Sequence, residues 1–500
     1  LQIPSFETGD LQALSTTQII SLQKLQLNAL STLQMVNLLT TQLRALTESQ
    51  ISSLSSVNLN SLTTAQFQAL TTFQVSKLTT LQIASLETAD LTSLSSSQLR
   101  ALAPASFGAM RTDEVTAFTT QQIKYLNNAQ ISSLSTTNLK TLTSDQFRAL
   151  TTSQVNSLIA NHLASLDASN LAVLNSTQIQ AITPDGIAAL TTQAIFSLTS
   201  DQITYLSSRQ VAALKTTQLA AMEALDLKAL SSRQIGALTA PQLNSLSSTQ
   251  MSQLLTTQVS ALTLLQVPKL TSVNLNALTT SQFQALTTAQ IAILSTGQIA
   301  NLENSDLASL DTNQILAITP KNVGLISTQG IVALTTAQVR ALNANQSKTL
   351  TSNQLSNLAV DDLQSLSSTQ LTNLSGPQLN ALSTAQLSVL LTSQLASLTP
   401  SQISTLNTVN LKSLTTSQFQ ALTSQQIAGL TTRQVSNLET ADLLSLSSSQ
   451  LRAISVVGIG ALRADEVTSL TTKWISSLSN TQIPGLSSTN LNLLSTSQLK

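Results

Sequence analysis

The chain has 500 residues, of which 9% are charged and 2% aromatic, and its 22 basic and 22 acidic side chains cancel to a net charge of zero. That balance gives no reason to expect nucleic acid or an anionic membrane as a partner, and the lack of Cys excludes disulfides and thiolate metal sites. Apolar runs never approach the ~18 residues that a membrane-spanning helix needs, and Leu1 opens the sequence without a basic region or an apolar signal core.

From Phe6 onward an apolar residue returns at every eighth position, as at Leu62, Leu70, Leu78 and Leu86, and the register runs unbroken to Leu494. With this residue as position one, position six is also apolar, and Ser347 is its departure. No insertion interrupts the count, so residues 1–500 are expected to form one continuous repeat array, read as a section of a longer one.

Each octad has the pattern of a helix start. In Leu62-Thr63-Thr64-Ala65-Gln66-Phe67-Gln68-Ala69, Thr63 suits an N-cap and Gln66 can reach back to complete a capping box. Phe67 and Leu70 then share one face. Pro104, Pro184, Pro320 and Pro400 stand at position three, the first helical residue, and Pro241 and Pro377 one residue later, where a missing N–H costs no helical bond. Pro4, Pro268 and Pro484 fall at position seven and predict helices cut short or tightened into 3₁₀ geometry. All 22 acidic residues lie at positions two to five, and 13 of the 22 bases at seven or eight, as helix dipoles favour. The fold class expected is therefore an all-α solenoid of very short helices, one per octad. A β-solenoid is the alternative, but it has no reason to sort charge in this way and needs more than 12 Gly for its corners.

A longer pattern overlies the octads. Position five, usually Gln, becomes Asp10, Asp90, Asn170, Asp226, Asp306, Asp362 and Asp442, at intervals of 80, 80, 56, 80, 56 and 80 residues. The two intervals differ by 24 residues, which predicts a superhelical turn of three octads and, at ~8–10 Å per layer, a rod on the order of 200 Å long. Such short helices do not stand alone in water, so stability is expected as a nearest-neighbour sum. Small residues at position eight, such as Ala69 and Ser85, let adjacent backbones approach.

Candidate sites are few. His162 and Trp474, the sole residues of their types, both occupy position five and read as substitutions in a polar capping slot. One His builds neither a triad nor a usual metal site. The acidic pairs Asp113-Glu114, Asp361-Asp362 and Asp465-Glu466 read as helix N-terminal charge rather than as cation ligands. No catalytic, cofactor-binding or metal-binding residue is assigned, no cofactor is expected, and the chain is read as no enzyme.

The consensus Leu-Thr-Thr-Xaa-Gln-Ile-Xaa-Ala resembles octapeptide-repeat arrays of large bacterial surface-associated or secreted exoproteins, some of them labelled adhesion or heme-utilisation proteins. The resemblance implies an extracellular or cell-surface structural and adhesive scaffold, a stiff rod or filament component. Its partners would be copies of itself, laterally or end to end, or cell-surface and matrix components. Heme finds no support, since one His and four Met supply no recurring axial ligand. The alternative is a solenoid binding module for a peptide or glycan.

Overall fold

A computed structural model describes residues 3–498 of the chain. Each octad has an extended residue at position two, and where that residue is Ser, Thr or Asn its side chain commonly caps the next helix. Thr63, at φ −71° and ψ 155°, accepts the Gln66 N–H at 3.3 Å, and Gln66 Oε1 accepts the Thr63 N–H at 2.8 Å. That reciprocal capping box sets the start of helix Thr64–Ala69. The helix ends at Leu70, which is extended again at φ −58° and ψ 139°. Two extended residues thus separate successive helices, and among the described residues none has a positive φ. The corners need no glycine, which is how 12 Gly suffice for the whole array.

The described residues hold 59 α-helices of four to six residues and no strand, so the all-α reading stands and the β-solenoid does not. Three segments are 3₁₀ instead: Ile3–Ser5, Val267–Lys269 and Ile483–Gly485. They contain Pro4, Pro268 and Pro484, the position-seven prolines, because a proline there withdraws an N–H that the last helical turn uses.

The chain divides into two units, Leu1–Leu254 and Leu255–Lys500, and the same rules build each. Helices pack on the helix three octads along, as Pro184–Ala189 does on Ser208–Ala213 in the first unit and Thr288–Ala292 on Thr312–Ala317 in the second. Position six fills the interior: Phe67, Phe107, Phe147, Phe283 and Phe419 are wholly buried, and position-one leucines such as Leu62 and Leu86 are nearly so. Each buried Leu or Ile contributes ~1.5–3 kcal/mol. Ser347 is buried as well and turns its hydroxyl inward to the Asn343 carbonyl at 3.0 Å.

The glutamine at position five joins one turn to the next. Gln66 is 4% exposed, and its Nε2 donates to the carbonyls of Met35, Val36 and Leu38 at 3.2, 3.0 and 2.7 Å. Those carbonyls belong to the C-terminal end of the helix four octads earlier and to the corner after it. The side chain therefore caps the start of its own helix with its oxygen and the end of another with its nitrogen. Gln130, Gln210, Gln346 and Gln426 repeat the arrangement with the same 31- and 28-residue reach. Position seven adds an outer tie in the other direction. Asn28, Arg44 and Arg100 donate to the carbonyls of Ser53, Ala69 and Tyr125, each 25 residues on, at 2.6, 2.8 and 2.9 Å. The position-eight carbonyl is the acceptor there. Bases near helix C-termini thus serve a bond as well as a dipole.

Replacing Gln130 with Met keeps the volume but leaves the Leu99 and Leu102 carbonyls and the Asn127 N–H without their partner. The expected cost is about 2–4 kcal/mol, confined to the neighbouring octads. Hydrogen exchange should quicken over Asn128–Ser132 and Ser96–Ala101 and stay unchanged several turns away; uniform quickening along the chain would refute a nearest-neighbour architecture.

Candidate functional site

Positions where the glutamine staple is replaced are where this chain departs from its own rule. Glu114 and Glu466 are the two glutamates at position five, and each has an arginine at position two, Arg111 and Arg463. Both glutamates are fully buried. Glu114 Oε2 still accepts the Arg111 N–H at 2.6 Å, but a carboxylate cannot donate, so the guanidinium does so instead. Arg111 reaches the carbonyls of Ala84 and Leu86, 30 and 28 residues before Glu114, and forms ion pairs with Glu114 at 3.0 Å and Asp113 at 3.1 Å. Arg463 does the same toward Ser436 and Leu438, with Glu466 at 3.0 Å and Asp465 at 3.2 Å. Burial pushes the carboxyls of Glu114 and Glu466 up, and the arginine's N–H and charge pull them back. The acidic pairs at 113–114 and 465–466 are therefore half of a two-residue staple.

His162 is buried and places Nε2 2.8 Å from the Leu134 carbonyl, 28 residues back, as a glutamine would. The carbonyl can only accept, so Nε2 carries the proton and Nδ1, which has no partner, is bare. Burial holds this imidazole below its ordinary range, partly offset by the bond to Leu134. Trp474 is also buried, with its indole N–H unpartnered. The slot is thus an interior position, which reading it as a polar capping site did not show.

The aspartates form a third class. Asp90, Asp226, Asp306, Asp362 and Asp442 are at most 5% exposed. Asp10 is exposed, and Asn170, on the same marker pattern, donates to the Lys140 carbonyl at 3.3 Å. Burial, reinforced by the repulsion of Glu87, Glu303 and Glu439, raises Asp90, Asp306 and Asp442 to about 6. Among the described residues no group of three or more His, Cys, Asp or Glu side chains stands together to hold a metal ion.

The outer face has its own features. Arg209 and Arg233, on contacting helices Ser208–Ala213 and Ser232–Ala237, line a hollow of about 400 Å³ with Thr204, Ser207, Ser208 and Ser231. At position four, Leu33, Val57 and Leu81 are 66%, 66% and 74% exposed. They stand on the successively contacting helices Thr32–Val36, Ser56–Asn60 and Thr80–Ala84.

The ALTTAQ repeat matches residues 3–40, 83–120, 123–159, 185–216, 219–256, 267–304 and 435–472, just over half of the chain. The chain belongs to the ALTTAQ repeat family. No curated protein matches it. Among solved structures, that of APUM23-GGAUUUGACGG is 13% identical, over 97% of this chain and 90% of that one, with a TM-score of 0.15. That of APUM23-GGAAUUGACGG is 11% identical, over 98% and 92%, with a TM-score of 0.12. Scores this low establish no common fold. The exclusion of nucleic acid drawn from the charge balance is corrected, because that balance does not carry it. A net charge is a sum over the chain, and it leaves Arg209 and Arg233 side by side on this ALTTAQ repeat protein. No described helix is long and apolar enough to cross a membrane.

The two-residue staple makes a direct prediction. Arg111→Thr alone leaves the buried Glu114 carboxylate without its counter-charge and the Ala84 and Leu86 carbonyls without their donor, and should lower stability by about 2 kcal/mol or more. Arg111→Thr with Glu114→Gln restores the consensus octad and should recover most of it. A double-mutant cycle by denaturant unfolding measures the coupling; simple additivity would refute the shared role.

Proposed function

We propose that this ALTTAQ repeat protein is a non-enzymatic scaffold that works outside the cell or on its surface, presenting a repeated outer face on a stapled interior. The observation that supports this reading most is the use of the buried polar groups. Position five is an interior slot from Gln34 to Asn490, and its glutamines, its histidine and its arginine–glutamate pairs are engaged in holding turns together. Catalysis needs titratable groups that converge on a reacting atom, and where the repeat brings such groups together, around Arg111 and Arg463, they serve the staple. The near-absence of Gly corners, reactive thiols and charge runs suits a chain that must persist outside the cell. Surface labelling of intact producing cells with a membrane-impermeant amine reagent should modify Lys24 and Lys321; a protein labelled only after lysis would overturn the location.

A second reading, a binding module for a peptide or glycan, is favoured by the exposed column of Leu33, Val57 and Leu81. Substituting all three with Ser should change stability by no more than about 0.5 kcal/mol per site while abolishing capture on a peptide or glycan array. Equal capture by the variant would remove that column from the function.

A further inference from the structure

Asp90 and Asp306, one in each unit, depart from the staple in the same way. Each sits at position five, where a glutamine would donate across the turn, and each has an asparagine at position seven 30 residues earlier: Asn60 and Asn276. The register places these side chains against each other. Where positions five and seven hold the asparagines Asn410 and Asn380, the Asn410 Nδ2 lies 3.4 Å from the Asn380 Oδ1.

The asparagines themselves are half satisfied. Asn60 and Asn276 donate to the Ser85 and Asn301 carbonyls at 2.6 and 2.7 Å, as the outer tie requires. At Asn28 and Asn380 the side-chain oxygen also accepts an N–H 27 residues on, from Ser55 and Asn407 at 2.7 and 2.8 Å. Asn60 Oδ1 and Asn276 Oδ1 have no such partner and are buried. Asp306 Oδ2 is buried and unpartnered too. Buried acceptors brought to one register position call for a proton between them. The remaining aspartates of this class are served differently. Asp226, Asp362 and Asp442 accept the hydroxyls of Ser200, Thr336 and Thr416 at 2.9, 2.9 and 3.4 Å.

We propose that Asp90 and Asp306 are proton-operated staples: each carries a carboxyl proton donated to the Asn60 or Asn276 side-chain oxygen, and releasing that proton to solvent loosens its turn. A carboxylic acid here does the donor's work of a glutamine amide; a carboxylate facing an amide oxygen does not.

The surroundings oppose ionisation. Helix Thr88–Ser93 packs on Thr64–Ala69, which carries no charge, and on Thr112–Ala117. At the start of the latter Arg111 is occupied by Asp113 and Glu114. Helix Asn304–Ser309 packs on Thr280–Gln284 and Thr328–Val332, both uncharged. Helices Ser56–Asn60 and Ser272–Asn276 are uncharged as well. Glu87 and Glu303, three residues before each aspartate, repel a second negative charge. Burial and that repulsion lift both carboxyls from the ordinary 3.8 to about 6. The folded chain therefore holds these protons more tightly than the unfolded one, and the stability they confer is present at pH 4 and lost as the pH rises through 6.

Hydrogen exchange on the full chain, corrected for intrinsic catalysis, tests this at pH 5 and pH 7. Protection over Thr88–Ser93 and Asn304–Ser309 should fall about tenfold, the change for a proton that leaves near pH 6 in the closed form and near 4 in the open one. Asp90→Asn should keep the first helix protected at both pH values while the second still switches, and Asp306→Asn the reverse. Equal protection at both pH values in the unsubstituted chain, or an unaltered pH response in the variants, overturns the proposal. A second readout is the Asp90 carboxyl carbon, assigned by subtracting the Asp90→Asn spectrum. Its midpoint should lie near pH 6 and drop in Asn60→Ala; a midpoint near 4, or one that Asn60→Ala leaves in place, also overturns it.

Discussion

A primary amide on a side chain of the right length is the group on which this architecture depends. Every short helix exposes unpaired N–H groups at one end and unpaired carbonyls at the other, and the shorter the helix the larger that share becomes. In helices of four to six residues almost no backbone group is satisfied within the helix for its whole length. Glutamine answers both ends at once, accepting at the start of its own helix and donating at the end of another. The apolar core of leucine, isoleucine and phenylalanine supplies attraction, but it is the amide that makes a core of such fragments tolerable, because buried carbonyls without donors would offset much of what burial contributes.

Several replacements at position five meet this requirement and sort by chemistry rather than by sequence similarity, while Gly186, Ala194, Gly330 and Gly458 supply no side-chain donor at all. Histidine keeps the donor and loses the capping acceptor. Glutamate keeps the acceptor and recruits an arginine as donor. Asparagine is shorter, and at Asn58 and Asn410 the missing capping bond is supplied by Asn28 and Asn380 from an earlier turn. These solutions each keep a donor for the carbonyls below.

Much of this was legible in the sequence. The octad, the N-cap at Thr63, the capping box with Gln66, the first-turn prolines and the 3₁₀ segments at Pro268 and Pro484 all depend on residues within one repeat, and their local chemistry is sufficient to read them. The packing of helices three octads apart was legible too, from intervals that differ by 24 residues. The staple was not, because a bond reaching back 28 to 31 residues requires the pitch of the superhelix, which no single octad encodes. A signal was nonetheless present. A capping box accepts glutamate as readily as glutamine, yet glutamate stands at position five only at Glu114 and Glu466, and arginine at position two only at Arg111 and Arg463. That joint restriction marks a lost donor and its replacement. The partner expectation failed for a different reason: a charge total carries no information about where on a surface the charges sit.

The staple also has a direction. Its donor always belongs to the later octad and its acceptors to an earlier one, as Gln34 shows by reaching the Phe6 carbonyl and Gln42 by reaching that of Leu14. A ribosome delivers the acceptors first. Each newly emerged octad meets a finished template a few dozen residues behind it and closes on it without waiting for distant sequence, so the chain can be completed during synthesis from its amino end, with a contact range that stays constant however many repeats are added.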